Sequence, residues 1–191
     1  MSASIRRGYL SFLLLIPLAL LVLSPLLYQP AAPSMTVLYA SERAQNEQTA
    51  FIRTLLVSAH QTQQSLRNRA DITPIELLVA SAHLGCDLPP REVPITPFVL
   101  LTPLERDCLS KYELLRTWSG LITDWNQHSD YDVALPCKNS GSIETSDCVS
   151  SLRYDPKTDH ILIRSDFMVL VRSKELGITA TGPLPSMEVG G

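Results

Sequence analysis

The first pattern along the chain is an apolar run close to its start. Residues 9–28, YLSFLLLIPLALLVLSPLLY, are 20 positions without a charge. As a helix they would be roughly 30 Å long, which matches the hydrocarbon core of a bilayer. Pro17 and Pro25 should kink such a helix without breaking it, because membrane helices tolerate proline. We therefore predict a transmembrane helix over residues 9–28.

A second helical pattern follows a proline-rich linker at residues 29–35. Residues 36–70 contain no glycine or proline, and most of them are good helix formers. Apolar residues recur at helical spacing in the second half of this segment, at Phe51, Leu55, Ala59 and Leu66. The sequence predicts one long helix whose first half is a stalk and whose second half packs on a folded domain at residues 71–181.

Two shorter helices are predicted within that domain by the same capping signal. Each starts with a Thr cap, a Pro and, two residues later, a Glu: Thr73, Pro74 and Glu76 in the first helix, and Thr102, Pro103 and Glu105 in the second. Gly85 should end the first helix. The spacing of apolar residues predicts that the second helix extends to about Gln127, with Trp118 and Trp125 on one face.

From Tyr131 onward the pattern is that of β-strands. The predicted strands are YDVAL, SLRYD, HILIRSDFMVLVRS and GITAT, separated by turn residues near Pro156 and Gly177. Helices followed by strands predict an α+β fold with a C-terminal antiparallel β-meander stapled by disulfides. Residues 182–191 are predicted to be a flexible tail.

The balance of acidic and basic residues indicates which partners the chain can bind. The chain has 19 acidic residues, all beyond the apolar run, against 16 basic residues that include Arg6 and Arg7. This weakly acidic outer part lacks the basic footprint of a nucleic-acid-binding protein. We therefore predict no nucleic-acid partner and expect membrane lipid to surround the apolar run.

The charges that flank the apolar run predict its orientation. Arg6 and Arg7 precede it, and the first charge after it is Glu42, so the positive-inside rule places the N-terminus in the cytoplasm. Residues 1–8 are then a cytoplasmic basic leader, and everything after Tyr28 is extracytoplasmic. The alternative is a cleaved secretory signal peptide, but the run is not followed by a good A-x-A cleavage site.

The four cysteines lie beyond the apolar run, where disulfides persist. Three connectivities exist, and we favour Cys86–Cys108 with Cys137–Cys148 because each pair closes a short loop. A zinc site is the rival interpretation, but the spacings contain no C-x-x-C pair. We predict two disulfides, with no metal and no cofactor.

The junction Arg6-Arg7-Gly8, followed directly by the apolar run, resembles the class III signal of archaeal type IV pilin-like proteins. In that family a prepilin peptidase cuts after the glycine, which here would leave Tyr9 as the new N-terminus. The general order of membrane helix, helical stalk and C-terminal sheet is similar too. The resemblance implies a structural subunit that associates with other copies or pilin-like subunits through its apolar helix.

Motifs that carry chemistry are absent from the sequence. It has no G-x-S-x-G, no H-E-x-x-H and no glycine-rich phosphate loop. The remaining candidates for catalysis or ligand binding are interpreted as structural residues on helix faces, in turns or in the core. They are His60, His83, His128, His160, the acid pairs Asp130/Asp132 and Asp155/Asp159, and the two tryptophans. We predict a membrane-anchored extracytoplasmic structural protein rather than an enzyme. The alternative is a monomeric membrane-tethered binding or accessory domain of the cell envelope.

Overall fold

A computed structural model describes residues 34–69, 72–88, 101–137, 146–164 and 166–190, and the side chains of residues 146–148 are not described. The chain divides into two units, Met1–Leu38 and Tyr39–Gly191. Of the first unit only residues 34–38 are described, and they begin a helix. All contacts discussed below lie within the second unit.

Three α-helices and one short 3-10 helix form in the described ranges: α1 at Met35–Asn68, α2 at Pro74–Leu84, α3 at Pro103–His128 and the 3-10 helix at Ser146–Ser151. Both predicted capping boxes are confirmed, since the Thr73 and Thr102 side chains accept from the Glu76 and Glu105 amides at 3.3 Å. Gly85 ends α2 with a φ of 65°, a conformation that glycine adopts without strain. Local capping chemistry thus sets the helix boundaries.

The predicted stalk is wrong for most of the first half of α1. Ala40 and Ala44 are already buried, Ala44 completely, and the Gln48 side-chain amide donates to the Val169 carbonyl at 2.9 Å. The sequence pattern predicted packing only from Phe51 onward, because that prediction relied on large apolar residues. A small Ala and a hydrogen-bonding Gln do not stand out in such a pattern, yet they let the helix approach the sheet closely.

In the part of the chain that the structure describes, six strands follow α3: β1 at Tyr131–Ala134, β2 at Leu152–Asp155, β3 at His160–Ile163, β4 at Met168–Ser173, β5 at Thr179–Pro183 and β6 at Met187–Gly190. They form two antiparallel three-stranded sheets, one ordered β1-β4-β5 and the other β2-β3-β6. The chain therefore leaves the second sheet after β3 and returns to it at β6.

This topology corrects the predicted fold class, which had a single β-meander. Residues 160–173 were expected to form one strand, but they form β3 and β4 in different sheets. The buried residues Ile161, Ile163, Phe167, Val169 and Val171 all lie at odd positions, so the same alternation holds on both sides of the change of sheet. At the break the Arg164 amide donates to the Ser151 carbonyl, outside both ladders, at 3.0 Å.

The predicted flexible tail at residues 182–191 is also corrected. Residues 187–190 form β6, and Val189 pairs with Ile161 and is fully buried. The segment MEVG has a single strongly apolar strand former, which is too little for a sequence pattern to identify. Pairing with a central strand supplies the backbone hydrogen bonds that define it.

Within the described residues no helix is long and apolar enough to cross a membrane. The predicted transmembrane helix at residues 9–28, its leader and residues 29–33 of the linker lie outside those residues.

Trp118 joins α3 to α1 and to the first sheet. Its indole N–H donates to the Leu55 carbonyl at 3.1 Å, and its ring packs edge-on against Phe167 with centroids 5.5 Å apart. The second tryptophan on the same face, Trp125, packs edge-on against Phe51 at 5.1 Å. The core interpretation of both tryptophans is therefore confirmed.

The predicted Cys86–Cys108 disulfide is confirmed, with the two Cα atoms 6.2 Å apart. It joins the end of α2 to the second turn of α3, across a Pro-rich connection. Cys137 is disulfide-bonded as well. The side chain of Cys148 lies outside the described residues, so the Cys137–Cys148 pairing stays a prediction.

Candidate functional site

The most closely connected polar cluster joins the start of α3 to the β2–β3 hairpin. The Tyr154 hydroxyl donates to Asp159 Oδ1 at 2.6 Å, and the Arg106 guanidinium donates to Asp159 Oδ2 at 3.2 Å. Burial and the neighbouring Asp159 carboxylate raise the pKa of Tyr154 well above its usual value. The phenol therefore stays protonated and acts as a fixed hydrogen-bond donor.

Asp159 holds this position in a backbone conformation that few residues adopt. Its φ is 60°, in the left-handed region where Asn, Asp and Gly are tolerated best. The turn is completed by Asp155, whose carboxylate accepts from the Lys157 amide at 3.0 Å, and this hydrogen bond lowers the pKa of Asp155. The two aspartates serve separate structural roles, in agreement with their interpretation as turn residues.

We expect Asp159→Asn to lower the free energy of unfolding by about 1.5 kcal/mol, because it weakens two hydrogen bonds to a partly buried carboxylate. Asn keeps the tolerance for a positive φ, so the loss reports on the side chain alone. Asp159→Ala should cost about 1 kcal/mol more, since it adds backbone strain. Urea unfolding at neutral pH measures both variants.

A double-mutant cycle with Tyr154→Phe serves as the control for that experiment. The two changes should be non-additive because both act on the Tyr154–Asp159 hydrogen bond. Full additivity, or an Asp159→Asn variant as stable as the parent, would show that the network contributes nothing.

The larger of the two described clefts lies between α1 and the end of α3, with a volume of about 360 Å³. Three residues that the sequence analysis considered as candidates line this cleft: Trp125, His128 and Asp130. His128 pairs with Asp124 through Nδ1 and Oδ1 at 3.1 Å, but both side chains are 73% exposed. This pair is too well solvated to hold a ligand by charge alone.

Asp132, the other member of the first acid pair, faces a different group. Its carboxylate lies 3.7 Å from the Lys174 ammonium. The same ammonium donates to the Asn126 and Ser129 carbonyls at 2.6 and 2.7 Å, capping the C-terminal end of α3. Lys174 thus supplies the positive charge that this helix end favours.

The second cleft, about 260 Å³, is polar and lies between α1 and α3. Thr62 donates to Thr117 across it at 3.3 Å, and Arg69 at its end forms an ion pair of 2.7 Å with Glu76. Burial acts to raise the pKa of Glu76, but hydrogen bonds from Arg69 and Thr73 and the Arg69 charge lower it overall. These groups satisfy one another and connect α1 to α2.

Two of the four histidines converge on β6. His60 Nδ1 lies 3.3 Å from the Gly190 carbonyl, and His160 Nδ1 lies 2.9 Å from Glu188 Oε1. A Cβ on Gly190 would collide with the His160 ring, so a larger residue there would displace the ring. His83 instead packs edge-on against Tyr112, 5.6 Å away. Across the described ranges, no group of three or more His, Cys, Asp or Glu side chains is arranged to hold a metal.

Sequence reasoning missed the outer face of α2. Ile75, Leu78 and Val79 point to solvent although the opposite face of the same helix is buried. The signal was present in the sequence PIELLVASAHL, which has apolar residues on all sides and few charges. The network around Asp159 had no such signal, because Arg106 lies 53 residues away.

The remaining predicted positions, Arg6, Arg7, Gly8 and Tyr9, lie outside the described residues. Comparison with protein-family models, with curated proteins and with solved structures finds no match to the chain.

Proposed function

We propose that this chain is a membrane-anchored extracytoplasmic structural protein. The observation that carries the proposal is the Cys86–Cys108 disulfide, because disulfides persist outside the reducing cytosol. The apolar run at residues 9–28 supplies the anchor, and Arg6 and Arg7 keep its first end in the cytoplasm. This arrangement delivers residues 34–190 to the compartment in which their cysteines are oxidised.

A structural role is supported by the way the polar residues are used. Asp159, Lys174 and Glu76 hold elements together through side-chain contacts. The two tryptophans lie in or beside the core rather than on an exposed platform. Three of the four histidines hold β6 or pack on a neighbouring ring.

A pilin-like subunit is the more specific form of this proposal, and it depends on the Arg6-Arg7-Gly8 junction before the apolar run. The correction of the β-meander removes the part of the resemblance that came from the order of elements. A monomeric tethered binding domain is the alternative. The cleft between α1 and the end of α3, with a volume of about 360 Å³, offers it a concave surface.

We expect the native protein to float with membranes and, for the pilin-like form, to lack residues 1–8. Intact-mass measurement and N-terminal sequencing of the membrane-purified protein test both points. A protein that begins at Tyr9 supports the pilin-like subunit, and one that retains Met1 supports the monomeric tether. Loss of about 30 residues, as for a cleaved signal peptide, with recovery in the soluble fraction contradicts the membrane anchor.

Gly8→Val provides the matched control, because the expected peptidase recognises the glycine before the cut. This variant should retain residues 1–8 and still float with membranes. Normal processing of Gly8→Val would contradict cleavage at the Gly8–Tyr9 bond.

A further inference from the structure

The outer face of α2 is an exposed apolar surface on a helix that is also apolar on its inner face. Ile75 and Leu78 are 72% and 70% exposed, Val79 is 46% exposed, and Ala82 is exposed as well. The inner face, made of Leu77, Ala80 and Leu84, is buried. A helix that is apolar all round is normally covered on all sides, and contiguous exposed apolar residues mark interaction surfaces.

This outer face carries no charge. The ionisable residues of α2 are Glu76 and His83, and their spacing of seven residues places them together on one flank of the helix. Arg69 holds Glu76 at 2.7 Å, and Tyr112 packs edge-on against the His83 ring. The apolar face is therefore flanked by a carboxylate near one end and an imidazole near the other.

The spacing of the exposed residues is palindromic. Ile75, Leu78, Val79 and Ala82 are arranged symmetrically about the midpoint between Leu78 and Val79. When two copies of α2 lie antiparallel about a two-fold axis at that midpoint, Ile75 faces Ala82 of the second copy and Leu78 faces Val79. Each larger side chain then meets a smaller one, as a self-complementary two-fold interface requires.

The same two-fold axis brings the polar flanks of the two helices together. The flank of Glu76 meets the flank of His83 in the second copy, and these residues are offset by about two helical positions, roughly 3 Å along the axis. The antiparallel arrangement also places the positive end of each helix dipole beside the negative end of its neighbour. A different partner would have to supply this complementarity, whereas a second copy contains it already.

We propose that α2 is a self-association surface through which two copies of this chain pair antiparallel. Four side chains on each side cover less than the roughly 800 Å² per partner of a standard interface. The pairing is therefore weak in dilute solution. Confinement to a membrane raises the effective concentration and favours the pair, a gain that rests on the proposed function, whereas the surface itself does not.

Photo-crosslinking of the full chain in phosphatidylcholine vesicles tests the proposal. With Ala82 replaced by p-benzoylphenylalanine, irradiation should give a covalent dimer whose crosslinked peptide, identified by mass spectrometry, contains Ile75 of the second copy. Adding Leu78→Asp should lower the dimer yield at least ten-fold, because it places a carboxylate in an apolar contact. Circular dichroism and thermal unfolding of each variant confirm that the fold is retained.

Leu176→Asp is the matched control, since Leu176 is 57% exposed in the turn between β4 and β5 and the substitution is identical. Its dimer yield should equal that of the parent. Crosslinks outside α2, or a yield that Leu78→Asp leaves unchanged, would overturn the proposal.

Vesicle flotation tests membrane anchoring independently of the crosslink. If the chain does not float, the proposed function fails, and irradiation in solution at high protein concentration still has to give the α2 crosslink. Absence of the crosslink in a chain that floats overturns the α2 pairing alone.

Discussion

Replacing Trp118 with alanine should lower the free energy of unfolding by about 4 kcal/mol, the cost typical of truncating a large buried aromatic residue. The side chain is fully buried, packs against Phe167 and donates to the Leu55 carbonyl. Its removal leaves a cavity where α1, α3 and the first sheet meet. Urea unfolding followed by circular dichroism measures the loss.

Trp125 offers a matched comparison on the same helix. The Trp118 indole N–H has a partner at 3.1 Å, whereas the Trp125 indole N–H is buried with no partner among the described residues. Trp118→Phe should therefore cost about 1 kcal/mol more than Trp125→Phe, because only the first loses a hydrogen bond. Equal losses in the two phenylalanine variants would contradict the role given to the Trp118–Leu55 bond.

Removing the Cys86–Cys108 disulfide should destabilise the protein by roughly 3 kcal/mol in the chain-entropy model. The bridge closes a loop with a sequence separation of 22, and the unfolded chain regains that freedom when the bridge is absent. The double variant Cys86→Ala/Cys108→Ala tests this more cleanly than a reductant, which would also reduce the second disulfide.

The slope of the unfolding free energy against urea separates two explanations for that loss. A chain without the crosslink exposes more surface when it unfolds, so the slope should rise as stability falls. A destabilisation with an unchanged slope would point to the cavity at buried Cys108 instead. A loss below 1 kcal/mol would contradict the stabilising role of the bridge.

The candidate sites show which contacts a sequence can reveal. Turn chemistry placed Asp155 and Asp159 correctly in a turn, but nothing in the sequence linked Asp159 to Arg106, which lies 53 residues away. The acid pair Asp130/Asp132 was visible from its spacing. Its members nevertheless have different neighbours. Asp130 precedes β1 and lines the cleft between α1 and the end of α3, whereas Asp132 lies within β1, 3.7 Å from the Lys174 ammonium.

The apolar face of α2 is an intermediate case. The segment PIELLVASAHL is apolar on all sides, and one face of any helix in a small domain is expected to be buried. The fold decides which face that is. Only the packing of Leu77, Ala80 and Leu84 into the core leaves the opposite side exposed.

The sequence by itself determined the helix starts, the glycine that ends α2, the first disulfide pairing and most strand positions. These features depend on local chemistry, in which a cap, a turn or a short loop involves residues a few positions apart. Only the tertiary structure decided which sheet each strand joins, that β6 exists at all and how early α1 becomes buried. A two-residue period predicts which side chains of a strand face inward. It does not predict which neighbouring strand supplies the backbone hydrogen bonds.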